Sequence, residues 1–386
     1  MKNGIHVAGK VSYQLTALNS DGSVARKLPP RRNLLLDRGL DNLAALSWCS
    51  LFDYFHLGTG TGPTSRDSGL ITFTLAGGIA TASAAFFLNT DTLRILKLDS
   101  GREMRITGFT DDQHVTVDFA GADGPSQGTV WYVTDTALTA QDQYFNLRSG
   151  DAGDHGWLWN GVTGILSTWV TRVSNAVVAP AITFKEIGWS ELGYTGLVNG
   201  RDLIAGGAGD TLTTGQKYKV KLQLDRTISP LAARACPQIT GWAGTAQEQI
   251  EAVGLSYWDA NGDHTDYIMA HEPVNAGRMR FSHDATAFRA PVFVGDGVNP
   301  LDLGTLAGSE RACTNQAYLA GSFFRDTRAF WDAGISTAVG IRHFAYGSNY
   351  STMYHQRMLM DADQVKASAD KLIVNFRKSW GRILVN

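Results

Sequence analysis

Tyr218-Lys219-Val220-Lys221-Leu222-Gln223-Leu224-Asp225 is the stretch that decides the fold class. Apolar and polar residues alternate without a break, so one face of an extended chain is apolar and the other carries charge. A helix would place its apolar residues three and four apart, whereas a period of two marks a strand in an antiparallel sheet with one wet face. The pattern recurs at the start of the chain. Val11 to Leu18 alternates roughly by two, Asn19-Ser20-Asp21-Gly22 supplies a turn, and Ser23 to Leu28 returns, which predicts a hairpin closed by Pro29-Pro30.

Between these two regions the period changes. Asn33 stands where a helix N-cap belongs. Leu34, Leu35, Leu36, Leu40, Leu43, Ala44 and Leu46 follow with helical spacing as far as Trp48, which predicts one amphipathic helix. Phe55-His56-Leu57-Gly58 then reads as a short buried strand feeding the loop Thr59-Gly60-Thr61-Gly62-Pro63-Thr64. Across 70–135, Leu93–Leu98, Glu103–Phe109, His114–Phe119 and Thr129–Thr134 are four strand candidates with short turns, a small β-barrel or sheet inserted into the first β region.

The last third repeats the middle. Phe184-Lys185-Glu186-Ile187-Gly188-Trp189 aligns with Ile341-Arg342-His343-Phe344-Ala345-Tyr346, and Arg201-Asp202-Leu203-Ile204 with Arg357-Met358-Leu359-Met360. An alternating strand closes each, Lys217 to Arg226 and Lys371 to Arg377. The expected organisation is mainly β. Residues 1–69 give the hairpin, helix and Gly/Thr loop of a first β domain; 70–135 are the insertion; 136–235 complete a first antiparallel β-sandwich; 236–386 form a second, a candidate duplicate of the first.

Composition agrees with many short strands. Glycine, at 42 residues, exceeds the usual roughly 7%, and charged residues make up only 18%. The net charge of -2 gives no field for nucleic acid or an anionic membrane, and no run of about 18 apolar residues offers a membrane span. Met1 to Lys10 is too short and too polar for a signal core. Cys49, Cys236 and Cys313 are too widely spaced for a metal pattern and read as buried free thiols of a chain made in a reducing cytoplasm.

Catalytic and cofactor patterns are weak. No two of the nine histidines make a zinc helix, and in His271-Glu272-Pro273 the proline breaks the helix such a motif needs. Gly58 to Gly62 lacks the Lys-Ser/Thr of a phosphate loop and no helix clearly follows. Asp259-Ala260-Asn261-Gly262-Asp263 resembles part of a calcium loop but reads better as a hairpin turn. Asp111-Asp112 and Asp361 with Asp363 fall in expected turns rather than across a sugar-cleaving cleft. No catalytic, cofactor or metal residue is therefore expected. Ten tryptophans and twelve tyrosines supply core, subunit contacts or a sugar platform, with Trp157, Trp159, Trp189, Trp331 and Trp380 the candidate contact residues, joined by Arg382 in the terminal segment. Residues 1–30 and 380–386 are apolar terminal strands that either add to a partner's sheet or pair within their own chain.

Three segments carry a resemblance. Asn33-Leu34-Leu35-Leu36-Asp37-Arg38-Gly39-Leu40-Asp41 resembles an N-L-hydrophobic-x-x-G-L-D helix near the chain start, Phe55 to Thr64 an apolar-G-T/S-G-x-x-x-P segment, and Ile182 to Trp189 with Arg201 to Ile204 an E-I-G-apolar and R-x-L-I strand pair. Together, over roughly residues 30–225, they are similar to tail and baseplate structural proteins of tailed bacteriophages, including fibre-attachment components; the insertion departs from the simplest form of the pattern. The resemblance implies a virion component synthesised in the bacterial host cytoplasm, which assembles with copies of itself and with other tail proteins. A receptor- or glycan-binding tail module contacting host surface glycan is the second reading, and an envelope-polysaccharide hydrolase the third.

Overall fold

The computed structural model describes residues 4–146, 154–177, 180–193, 196–236, 244–258, 264–265, 272–283, 287–293, 309–334, 340–347 and 354–384. In chain order the first strands are β1 (Gly4–Leu18), β2 (Val24–Lys27), β3 (Arg31–Leu35) and β4 (Tyr54–Gly58). An insertion follows, with β5 (Ser65–Asp67), β6 (Phe73–Ala76), β7 (Ile79–Ala82), β8 (Ile95–Leu98), β9 (Glu103–Phe109), β10 (His114–Val117), β11 (Asp123–Ser126) and β12 (Gly128–Trp131). The chain continues through β13 (Gln141–Asn146), β14 (His155–Asn160), β15 (Ile165–Val173), β16 (Ile182–Phe184), β17 (Glu186–Ser190), β18 (Gly200–Leu203), β19 (Asp210–Leu212) and β20 (Lys217–Ser229). The last part holds β21 (Arg234–Ala235), β22 (Ala246–Ile250), β23 (Ala252–Val253), β24 (Tyr257–Trp258), β25 (His264–Thr265), β26 (Arg278–Ser282), β27 (Val292–Phe293), β28 (Arg311–Ala312), β29 (Thr314–Asn315), β30 (Phe324–Trp331), β31 (Ile341–Gly347), β32 (Tyr354–Gln364) and β33 (Leu372–Arg382). The protein is mainly β, with several antiparallel sheets and, among the described residues, one short α-helix, α1 (Asp37–Asn42).

β20 is the strand its alternation predicts. Tyr218, Val220, Leu222, Leu224, Arg226 and Ile228 are buried, while the residues between them stay partly exposed. It lies between β15 and β1, pairing with β1 from His6↔Ser229 to Leu18↔Lys217. The opposite edge of β1 is shared among three strands: β33 runs parallel beside Gly4 to Gly9, β3 pairs around Val11 to Tyr13, and β2 closes the predicted hairpin at Thr16 to Leu18. The N-terminal strand thus pairs within its own chain on both edges.

The helix begins later than its leucines suggest. Asn33, Leu34 and Leu35 end β3, where Asn33 pairs with Val11, Leu34 with Arg201 and Leu35 with Gly200. Both faces of that strand end are buried, and a strand buried on two faces shows a continuous apolar run that looks like one side of a helix. Leu36 holds the N-cap position with an extended backbone, and α1 is only six residues long before turns lead to a 3-10 turn at Cys49–Phe52.

The insertion is an eight-stranded sheet, ordered β11-β6-β7-β10-β9-β8-β12-β5, rather than the four strands its strongest patterns indicate. Its own buried cluster includes Phe73, Leu75, Leu96, Ile106, Val115 and Val130. Because β5 and β12 are neighbours, the chain enters and leaves the insertion at one place.

The two aligned regions share most of their strand connectivity, although the β1–β20 pairing of the first has no β21–β33 counterpart in the second. β4-β17-β18-β3-β1 in the first corresponds to β26-β31-β32-β22-β21 in the second, every pairing antiparallel. β13 beside β4 matches β28 beside β26, and β14-β15-β20 matches β29-β30-β33. The register agrees too: Gly188 faces Arg201, and Ala345 faces Arg357. The halves do not separate at residue 236. β33 joins β1, and one core contains Val11 and Leu222 together with Phe281, Trp331 and Phe376.

Candidate functional site at the root of the insertion

The segments that carry the resemblance are far apart in sequence and adjacent in space. β4, β17, β18 and β3 are four consecutive strands of one sheet. Glu186 at the start of β17 is fully buried, and its carboxylate accepts the backbone N–H groups of Thr139 (2.9 Å) and Ala140 (2.7 Å). Arg201 on β18, 4% exposed, lies 3.6 Å from that carboxylate. Its guanidinium also donates to Asp135 at 2.6 Å and to the carbonyl of Gly62. Burial pushes the Asp135 carboxyl above its ordinary range, against the pull of Arg201.

This cluster gives the Gly/Thr loop a structural reason. A Cβ on Gly58 would lie 2.7 Å from Glu186 Oε1, and one on Gly60 2.5 Å from the same atom. Glycine is needed because the backbone passes directly over a buried carboxylate. Gly62 precedes the insertion and Asp135 follows it, so Arg201 grips both of its roots.

Beside this cluster a cavity of about 430 Å³ opens between β1, β3, the insertion root and the segment after β33. Arg31, Arg32, Lys10 and Arg382 stand in its wall with Asn33 and Trp131. Arg31 donates to Asp202 at 2.9 Å, and Tyr13 donates to the same carboxylate at 2.8 Å. Leu384, in the wall, packs with Leu34, Leu36, Val133, Leu138 and Val198, and Lys97 of β8 donates to its carbonyl.

The expected contact residues divide into two groups. Trp189 and Trp331 are fully buried, Trp189 against Tyr13 at 5.1 Å and Trp331 donating to the Ser309 carbonyl at 2.7 Å. Trp380 is 2% exposed and donates to the Leu40 carbonyl at 2.7 Å, while Arg382 pairs with Asp37. Ile383 donates to Gly9 at 2.9 Å, so the terminal segment pairs with its own chain and these four side chains serve the interior. Trp157 and Trp159 are partly buried on β14 and pack on Phe293, with Tyr257 beside Trp157. Among the described residues β14 pairs only with β15, and Leu158 on its other face is 63% exposed.

The remaining candidates are scattered. Asp111-Asp112 sit in the expected turn, but Asp361 and Asp363 lie within β32, where Asp361 accepts from Thr245 (2.7 Å) and Asp363 faces Arg342 (3.5 Å). The loop after β4 leads to a strand, β5. Residues 259–263 and His271 lie outside the described residues; β24 and β25, which flank 259–263, pair antiparallel. No group of three His, Cys, Asp or Glu side chains suited to a metal is present among the described residues. Cys49 and Cys313 are buried and Cys236 is half-buried, with no disulfide among the described residues; burial pushes Cys236 and Cys313 up to about 12.

Glu186 and Arg201, which belong to one sequence motif, pair only through the fold, and Asp135 and the basic cavity wall lie outside every motif of the sequence. The adjacent Arg31-Arg32 after Pro30 was the available signal for that wall. No family model, curated protein or solved structure matches the chain.

Proposed function

We propose that the chain is a structural component of a bacteriophage tail, a baseplate, collar or fibre-attachment protein that works by assembling with copies of itself and with neighbouring tail proteins. The observation that carries this reading is the convergence of the resembling segments on one unit. Asn33–Leu35, Phe55–Gly58, Glu186–Trp189 and Arg201–Leu203 form adjacent strands, locked by the Glu186–Arg201–Asp135 cluster. Segments that resemble a family separately gain weight when they build a single piece of the fold. β14, an edge strand that pairs only with β15 among the described residues, is placed to meet a neighbour, since an unpaired strand edge is a template for another chain's strand.

The test is electron microscopy of particles labelled with gold-conjugated antibody against this chain. Gold at one fixed position on the tail is the expected result, and its place would separate collar, baseplate and fibre roles. Particles that stay unlabelled, while infected-cell lysate reacts strongly, would refute the reading.

A further inference from the structure

The cavity beside the insertion root has the features of a ligand site, and we propose that it binds a carboxylated saccharide. The main observation is charge. Lys10 lies 3.9 Å from Asp225 and Arg31 2.9 Å from Asp202, while Arg382 shares Asp37 with Arg105 of β9. Arg32, exposed at the mouth, has no ion-pair partner among the described residues. Four cations, Lys10, Arg31, Arg32 and Arg382, and one carboxylate, Asp202, thus line the cavity, on a chain whose overall net charge is -2. Local positive excess in a recessed site with low-dielectric walls attracts and holds an anion.

Shape and lining choose the class of guest. A volume of about 430 Å³ falls within the range of small-ligand sites. The wall combines guanidinium groups for a carboxylate, an indole, and the hydroxyls of Thr64 and Ser65 for sugar hydroxyls. An extended acidic peptide fits less well. Addition as an extra strand is disfavoured because β3, the strand in the wall, pairs with β1 at 31–33 and with β18 at 34–35.

Titration calorimetry of the intact chain tests this, using a galacturonate tetramer, a glucuronate oligomer, the methyl-esterified uncharged galacturonate tetramer and tetraglutamate. One-to-one binding of at least one acidic oligosaccharide is expected, with the ester and the peptide far weaker. Arg32→Gln should weaken that binding about tenfold without changing the melting temperature, and Lys10→Gln should weaken it less. The inference is overturned if neither acidic saccharide binds, if the ester binds as well as the acid, or if tetraglutamate binds as tightly. It is equally overturned if acidic binding survives both substitutions unchanged. Binding is read on the isolated chain and tail incorporation on particles, so this inference and the assembly reading can fail separately.

Discussion

The two strand sets share most of their connectivity and differ in how each stabilises its centre. In the first, Arg201 on β18 is held by Glu186 from the neighbouring β17, by Asp135 and by Gly62. In the second, Arg357 takes the same place on β32 but pairs at 2.6 Å with Glu251, which follows β22, and donates to the Ala287 carbonyl. The arginine position is common and the carboxylate is not. A buried cation needs a compensating anion, but any strand within reach can provide it. The difference tracks what each site must hold. Arg201 grips the two roots of an eight-stranded insertion between β4 and β13, whereas the matching connection in the second set, between β26 and β28, carries only β27 among the described residues.

A second contrast lies where the sets meet. β20 and β33, equivalent strands, flank β1 on opposite edges, and each buries a cation: Arg226 and Lys378. Both approach the segment at Glu272, whose carboxylate accepts the N–H groups of Trp48 (3.0 Å) and Ser256 (2.8 Å). Arg226 donates to Ser256 and Thr168, while Lys378 donates to the carbonyls of Pro273 (3.2 Å) and Asn275. Arginine keeps its charge over the whole working pH range. Burial, reinforced by Arg325, lowers Lys378 to about 7.

The largest expected effect probes the shared arginine. Arg201→Met and Arg357→Met should each destabilise by about 3–5 kcal/mol in urea unfolding, because each leaves a buried carboxylate unpaired. Only Arg201→Met should also expose the insertion roots to limited proteolysis. Equal proteolysis in both variants would break the contrast between the two sites.

Next comes the cation pair. The folded-state value of Lys378 lies below its ordinary 10.5, so between about pH 7 and 10 the unfolded chain binds the extra proton. Wild-type stability should therefore rise with pH through that window relative to Lys378→Met, by at most about 1.4 kcal/mol per pH unit. Parallel curves for wild type and variant would remove Lys378 as a titrating group. An Arg226→Met variant should show no such difference in slope.

The seam itself is tested by Gly4→Val. A Cβ at Gly4 would sit 1.8 Å from the Arg377 carbonyl, so this change strikes the β1–β33 pairing and leaves β1–β20 intact. A loss of about 1–3 kcal/mol is expected. The smallest effect is at the outer edge: Leu158→Lys should shift stability by less than about 0.5 kcal/mol. It should nonetheless lower the oligomer mass seen by light scattering if β14 meets a neighbouring copy.

Much of this was legible in the sequence for identifiable reasons. β20 and the β1–β2 hairpin were readable because one buried face imposes a period of two. The alignment of Arg201 with Arg357 was readable because the two strand pairs keep the same register. Leu34-Leu35-Leu36 misled because burial on two faces erases periodicity. The insertion showed half its strands; Ser65–Asp67 and Asp123–Ser126 hold no alternating apolar residues, so β5 and β11 leave no strand signal. Trp189, Trp331 and Trp380 were flagged as contacts because composition cannot tell a core tryptophan from a surface one. The junction at Glu272 was hidden because its members, Trp48, Arg226, Ser256 and Lys378, meet only through the tertiary fold.

The central claim is that β1 fuses the two strand sets into one cooperative body. Hydrogen exchange measured by mass spectrometry in increasing denaturant tests it directly. The amides of β20, β33 and the β22–β32 pair should become exchangeable together, in one opening. Exchange of β33 and the β22–β32 pair at distinctly lower denaturant than β20 would contradict the account and make the second set an independent unit.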